Sequence, residues 1–173
     1  MKIHSIFLSG ACCLAMLAAA GIARSASLNK ADEQFLIMAA KTDMTEADEG
    51  QIAENQAGRT DVKEFAKTLI QDHTESYQHL AELAAKTGVS IPKGIDAAKD
   101  RAIVQLAHLK GANFDRQFSR GEIAAHRHAI VVFKREAEHG QDTGVKAYAA
   151  KMVPVLEKHL HLAEDCAKPT RRS

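Results

Sequence analysis

Residues 60–88, TDVKEFAKTLIQDHTESYQHLAELAAKTG, decide the fold of this chain. Their apolar side chains recur three and four positions apart, a spacing typical of one stripe along an amphipathic helix. The stripe comprises Val62, Phe65, Ala66, Leu69, Tyr77, Leu80, Leu83 and Ala84. His73 falls on the same stripe, four residues after Leu69 and four before Tyr77. An imidazole is therefore predicted to face the core, where a polar group needs a partner.

Three further segments repeat this helical spacing, so the sequence predicts four long helices. The other three are expected at about 30–57, 114–138 and 144–166. Short turns at Gly58 and Gly140 would join the four helices into two antiparallel hairpins. Thr60 and Asn113 are predicted as N-caps of the second and third long helices, because their side-chain oxygens can accept backbone N–H groups.

The link between the hairpins is long and contains a short helix predicted at about 96–109. Such a link lets the third long helix start at the same end as the second, as in ferritin-like bundles. The predicted fold class is therefore all-α: a ferritin-like four-helix bundle with an extra short helix in the crossover between helices 2 and 3. The bundle domain is expected over 26–167, followed by a basic, frayed tail over 168–173.

The first long helix carries a carboxylate and a glycine on its predicted buried face. That face is expected to follow Phe35, Met38, Ala39, Thr42, Glu46, Gly50, Ala53 and Ala57. A glycine inside a helix costs about 1 kcal/mol relative to alanine. Close approach of a neighbouring helix would explain Gly50.

Three core-facing histidines and this carboxylate are predicted to share one layer. His73 lies thirteen residues after Thr60, and His126 lies thirteen residues after Asn113, the two expected N-caps. Both are thus about 19 Å along the axis at 1.5 Å per residue. The depths of Glu46 and His159 agree with this level to within two helical turns, about 11 Å. Five other histidines, all after the predicted leader, fall off the stripes and are expected at the surface: His79, His108, His128, His139 and His161.

Three interpretations of this layer are open. In the first, one transition metal ion (Zn, Cu or Fe) is held by Glu46, His73, His126 and His159, because neutral imidazole suits these metals. Asp72 and Glu122 would then accept hydrogen bonds from the ring N–H groups, and Glu122 lies one turn before His126. In the second, the same side chains form a structural polar network. In the third, each histidine merely borders the core. No cofactor is required by the last two.

Catalytic motifs are missing from the sequence. Bundle di-iron sites use Glu-x-x-His, but the residues three before the core-facing histidines are Ile70, Ile123 and Leu156. Nucleophile elbows, phosphate loops and Cys-x-x-Cys pairs are also absent from the sequence. The chain is therefore expected to be non-enzymatic.

Residues 1–25 have the pattern of a secretory signal peptide. Lys2 precedes an uncharged apolar segment over 6–20, and Ala23-Arg24-Ser25 fits a cleavage site. Cleavage after Ala20 is an alternative, and an uncleaved membrane anchor over 6–23 is another, although a span needs about 20 residues. The predicted location is the periplasm or the outer envelope.

Charge and cysteine content limit the partners. The formal net charge is +1, and it becomes −1 when Lys2 and Arg24 leave with the leader. A near-neutral chain without a binding motif is not expected to bind nucleic acid. The expected partner is an envelope protein or a membrane surface. Cys166 alone would remain after cleavage, so no internal disulfide can form, and it is predicted to be a small buried residue.

Several segments together resemble a known bacterial family, the domain of unknown function 4142 family. They include Val62-Lys63-Glu64-Phe65-Ala66 before Asp72-His73, and Val153-Pro154 before His159. The further matching positions are 46–57, Gly88 with Pro92, Phe114-Asp115, Phe118, His126, Phe133, Leu156 and Leu160. The departures are Phe118 where Tyr is frequent and Val153 where Leu is frequent.

The resemblance covers about residues 31–163. It implies a secreted protein with a ferritin-like fold, and some members of the family carry an outer-membrane-protein label. A role in stress tolerance is an expectation by family analogy alone. The resemblance carries over no functional residue, because the activity of the family is not known.

Overall fold

The computed structural model describes residues 28–95 and 97–169. Within these ranges the chain forms five helices and no strand: α1 (Lys30–Gln56), α2 (Thr60–Thr87), α3 (Ala97–Ala107), α4 (Gly111–His139) and α5 (Thr143–Ala167). The all-α class and the short helix in the link are confirmed. The predicted leader and most of the basic tail lie outside the described residues.

One end of the bundle joins the starts of α2 and α4 to the end of α5. The N–H of Gly58 donates to Asp115 Oδ1 over 2.9 Å. Arg59 Nη1 donates to the carbonyl of Cys166 over 2.8 Å. The helices α2 and α4 therefore run parallel, as the long link predicted.

The opposite end is held by one buried carboxylate. Asp32 in the first turn of α1 accepts from the N–H groups of Gln141 and Asp142, at 3.1 Å and 2.7 Å. Asp142 in turn caps α5 by accepting from the N–H groups of Gly144 and Val145. The start of α1 and the α4–α5 turn thus lie together.

Two predicted N-caps are wrong. Thr60 is the first residue of α2, because Arg59 takes the extended cap position with φ −95° and makes no side-chain cap bond. Asn113 lies inside α4, which begins at Gly111 after Lys110. Gly111 has a φ of 55°, a conformation that glycine adopts at no steric cost, so the chain turns into the helix earlier than predicted.

The apolar core is divided into two halves by a polar layer. One half contains Phe35, Leu36, Ala39, Ala40, Leu80, Ala129, Phe133, Val145, Tyr148, Ala149, Met152 and Leu156. The other contains Ala53, Ala57, Val62, Phe65, Ala66, Leu69, Phe114, Phe118, Ala163 and Cys166. Each of the four long helices passes from one half to the other through the layer, which therefore lies at mid-height.

The buried face of α1 is rotated relative to the prediction. Met38 and Thr42 are only half-buried, whereas Asp43 is buried. The physical reason is a hydrogen bond: the Asp43 carboxylate binds the buried His73 ring, so Asp43 turns inward in place of Thr42. The close approach predicted at Gly50 is confirmed, since a Cβ there would lie 2.8 Å from Ile70 Cγ1.

The surface agrees with the remaining sequence predictions. Each of the five histidines placed off the stripes is exposed, and Cys166 is buried. Among the helices of residues 28–95 and 97–169, none is long and apolar enough to cross a membrane.

Candidate functional site

Three buried histidines meet in the polar layer, one each from α2, α4 and α5. The side chains of His73, His126 and His159 are 1%, 1% and 0% exposed. Their ring centroids are 6.1 Å apart for His73–His126, 5.2 Å for His73–His159 and 5.3 Å for His126–His159. The structure thus brings together the three histidines that the sequence predicted at one level.

Each ring binds an oxygen atom through one of its two nitrogens. His73 Nδ1 lies 2.9 Å from Asp43 Oδ1. His126 Nδ1 lies 2.9 Å from the backbone carbonyl oxygen of Glu122. His159 Nε2 lies 2.9 Å from Asp72 Oδ2. Because a carbonyl or carboxylate oxygen only accepts, the ring nitrogen donates in each of these bonds.

The other nitrogen of each neutral ring then carries a lone pair. These are His73 Nε2, His126 Nε2 and His159 Nδ1. The last two atoms are 3.3 Å apart, and His73 Nε2 is buried with no hydrogen-bond partner among the described residues. Taking one nitrogen from each ring, all three atoms lie within 4.8 Å of one another. The site therefore offers three converging nitrogen ligands.

The electrostatic surroundings keep His159 neutral. Burial lowers the pKa of His159 to about 3, although the hydrogen bond to Asp72 opposes the shift. Burial opposes ionisation of Asp72, but hydrogen bonds from His159 and Lys158 lower the pKa of that carboxyl overall. A neutral imidazole beside an ionised carboxylate is the protonation state that a metal-ligating histidine needs.

Asp43 was missed by the sequence analysis. Its second oxygen, Oδ2, lies 3.4 Å from the hydroxyl of Tyr148, which is 2.9 Å from Ser76 Oγ. A signal was present in the spacing, because Asp43 lies three residues after Ala40 and three before Glu46. The sequence analysis instead followed a more apolar face through Met38 and Thr42, which does not include Asp43.

Glu46 does not join all three histidines. It lies instead in a second group with Glu122 and His126, in which one ligand atom of each residue is within 4.8 Å of the others. The four predicted ligands are thus divided between two adjacent groups that share His126. Asp72 accepts a hydrogen bond from the His159 ring through its carboxylate, as predicted. Glu122 accepts one from the His126 ring mainly through its backbone carbonyl.

Two surface clefts lead toward these groups. One, of about 360 Å³, lies between α1, α2 and the link, and its lining includes Asp43 and His73. The other, of about 440 Å³, lies between α1 and α4, and its lining includes Glu46. Each group therefore has its own approach from the surface.

The fold and the site define an all-α bundle protein with a buried histidine and carboxylate layer. Residues 17–166 match the family described as Domain of unknown function (DUF4142), and the chain belongs to this family. No curated protein sequence matches it.

A solved structure with the same fold is the crystal structure of a DUF305 fragment from Deinococcus radiodurans. The two chains are 15% identical and superpose with a TM-score of 0.72 over 82% of this chain and 98% of the fragment. At this identity the likeness concerns the fold alone.

Proposed function

We propose that this protein holds one transition metal ion with His73, His126 and His159. The observation that carries the proposal is the bonding of the three rings: each donates one N–H to an oxygen, so its other nitrogen is left to ligate. Metal-binding histidines are oriented in this way by carboxylates and backbone carbonyls, which also raise the basicity of the ligand. Three nitrogen ligands and one open position suit zinc, copper or iron.

The spacing of the ligand atoms supports a metal. Two nitrogens bound to a tetrahedral zinc ion at 2.0–2.1 Å are about 3.3–3.4 Å apart. His126 Nε2 and His159 Nδ1 are 3.3 Å apart. These two atoms already have the separation that a shared ion would impose.

The competing interpretation is a purely structural polar network. In that case the facing nitrogens of His126 and His159 would either be two lone pairs 3.3 Å apart or share an added proton, which would place a positive charge in a dry layer. The buried Nε2 of His73 would also stay without a partner, at a cost of about 1–3 kcal/mol. A bound cation would remove both costs, and this is the argument for proposing a metal rather than a purely structural network.

The cellular setting is proposed from the sequence. The leader pattern over 1–25 supports export to the periplasm or outer envelope. There the protein would act as a non-enzymatic metal-holding component, with an envelope protein or the membrane surface as its partner and a contribution to stress tolerance.

The test is metal binding by the protein purified without a histidine tag or chelator. Elemental analysis and calorimetric titration with Zn²⁺, Cu²⁺ and Fe²⁺ should give one tightly bound ion per chain. His126→Ala should abolish tight binding, and His128→Ala is the matched control because His128 is an exposed histidine of the same helix. Circular dichroism verifies that both variants remain helical.

The proposal fails if none of the three metals binds, or if His126→Ala and His128→Ala bind equally well. Should His126→Ala unfold, His159→Gln provides the same comparison with an uncharged side chain that retains polar atoms.

A further inference from the structure

Two carboxyl groups beside the three histidines have no role in holding the first ion. Glu46 on α1 and Glu122 on α4 are 5% and 0% exposed. Burial raises the pKa of Glu46 well above its ordinary range, and the nearby charge of Glu122 raises it further. A pair of carboxylates in a dry core requires either a proton or a cation between them.

A second observation points to a cation as ligand. Glu46 Oε2 is buried and has no hydrogen-bond partner within the part of the chain that the structure describes. Glu46 also offers a ligand atom within 4.8 Å of ligand atoms on Glu122 and His126. The two carboxyl groups also lie within hydrogen-bonding distance of each other, and a bound cation would replace the proton that they share.

We propose that Glu46 and Glu122 hold a second divalent cation, next to the ion held by the three histidines. Two carboxylate groups, with water completing the coordination, suit Mn²⁺. This second site extends the proposed function, and it depends on that function only for the presence of the first ion.

The two positions lie against different edges of one ring. His126 presents Nε2 to His159, and its Nδ1 lies 3.4 Å from Glu122 Oε2. The approaches differ as well, because the cleft between α1 and α4 reaches Glu46 and the cleft beside the link reaches His73. The second ion can therefore enter and leave without passing the first.

Charge balance also favours the second ion. Glu46 and Glu122 are two buried carboxyl groups in the polar layer, and one divalent ion balances the charge of both when they are ionised. The ion would thus reduce the cost of burying this pair of acidic groups.

The experiment uses the protein loaded with one equivalent of Zn²⁺ and then titrated with Mn²⁺. The electron paramagnetic resonance signal of free Mn²⁺ measures how much manganese is bound. Wild-type protein should bind one Mn²⁺ per chain, and Glu46→Gln should weaken that binding by about tenfold or more while leaving Zn²⁺ bound. Glu54→Gln, on the same helix but outside the group, is the control and should bind Mn²⁺ as the wild type does.

The inference is overturned if Zn²⁺-loaded wild type binds no Mn²⁺, or if Glu46→Gln and Glu122→Gln bind it as well as Glu54→Gln does. If the protein takes up none of Zn²⁺, Cu²⁺ and Fe²⁺, the proposed function fails first. The same Mn²⁺ titration on the metal-free protein then decides the second position by itself. Loss of Mn²⁺ binding in Glu46→Gln would support it, and no binding by the wild type would reject it.

Discussion

Asp43 Oδ1 lies 2.9 Å from His73 Nδ1, and both side chains are buried in the layer that divides the core. This bond joins α1 to α2, and the contact of Asp43 with the Tyr148 hydroxyl extends it to α5. Burial raises the pKa of Asp43, although the hydrogen bond from His73 opposes the rise. The bond fixes which nitrogen of His73 carries the proton and which can ligate.

Removing the charge of Asp43 should therefore weaken metal binding without removing a ligand. Asp43→Asn is expected to lower the affinity for Zn²⁺ by about 10–100-fold, the usual effect of losing a carboxylate that orients a ligating histidine. Competition with a chromophoric chelator measures the dissociation constant.

The matched control for Asp43→Asn is Asp48→Asn. Asp48 is an exposed carboxylate of the same helix and lines the same cleft as Asp43. Equal losses of affinity in the two variants would indicate a general effect of charge, and no loss in Asp43→Asn would contradict its orienting role.

The histidine level could be predicted because stripe spacing and helix starts are local properties of the sequence. His73, His126 and His159 each stand between apolar residues one turn away, so their inward direction follows from periodicity alone. The spacing also permits Asp43 on the buried face, but α1 has weak amphipathicity and an equally regular path through Thr42, so periodicity did not select Asp43. The separation of Glu46 from the three-histidine group depends on how the helices rotate against each other, which periodicity does not determine.

Gly50 and Gly121 provide a test of the helix packing. In Gly50→Ala the new Cβ would lie 2.8 Å from Ile70 Cγ1 and 3.0 Å from the carbonyl oxygen of Ala66. The Ala66 carbonyl belongs to the backbone of α2 and cannot move aside easily. The clash should therefore outweigh the helix preference of alanine and destabilise the protein by about 1–2 kcal/mol. Urea denaturation monitored by circular dichroism measures the change in free energy of unfolding.

Gly121→Ala should have the opposite sign. Gly121 is an exposed residue of α4, and a Cβ there meets no atom within 4 Å. Alanine should therefore stabilise the protein by up to about 1 kcal/mol. If both substitutions stabilise, the close approach of α1 to α2 at Gly50 is not present in solution.

Cys166 should be an unreactive thiol. Burial, and next the charge of Asp61, raise the pKa of Cys166 to about 11, so little thiolate is present at pH 8. Alkylation at pH 8 should be slower in the folded protein than in urea by roughly 100-fold or more. Mass spectrometry of the peptide that contains Cys166 measures the rate. Equal rates in the folded and unfolded states would contradict its burial at the end of α5.

At the far end of the bundle, Asp32 and Glu136 form a carboxyl pair with opposite pKa shifts. Burial opposes ionisation of Asp32, but hydrogen bonds from Asn29 and from the N–H groups of Asp142 and Gln141 lower its pKa overall. Burial, and next the charge of Asp32, raise the pKa of Glu136. Asp32 is therefore the ionised member of the pair, and Glu136 holds its proton to higher pH.

The sign of the pH dependence of Glu136 follows from its raised pKa. A carboxyl with a raised pKa contributes stability below its unfolded value, 4.5 for a glutamate, and loses that contribution as pH rises through its folded value. Glu136→Gln cannot ionise, so it should match the wild type in melting temperature near pH 4 and exceed it at pH 8. Calorimetry at the two pH values measures the difference. Glu138→Gln, an exposed neighbour on α4, should show no such increase, and an equal increase in both variants would place the effect in net charge rather than in the pair.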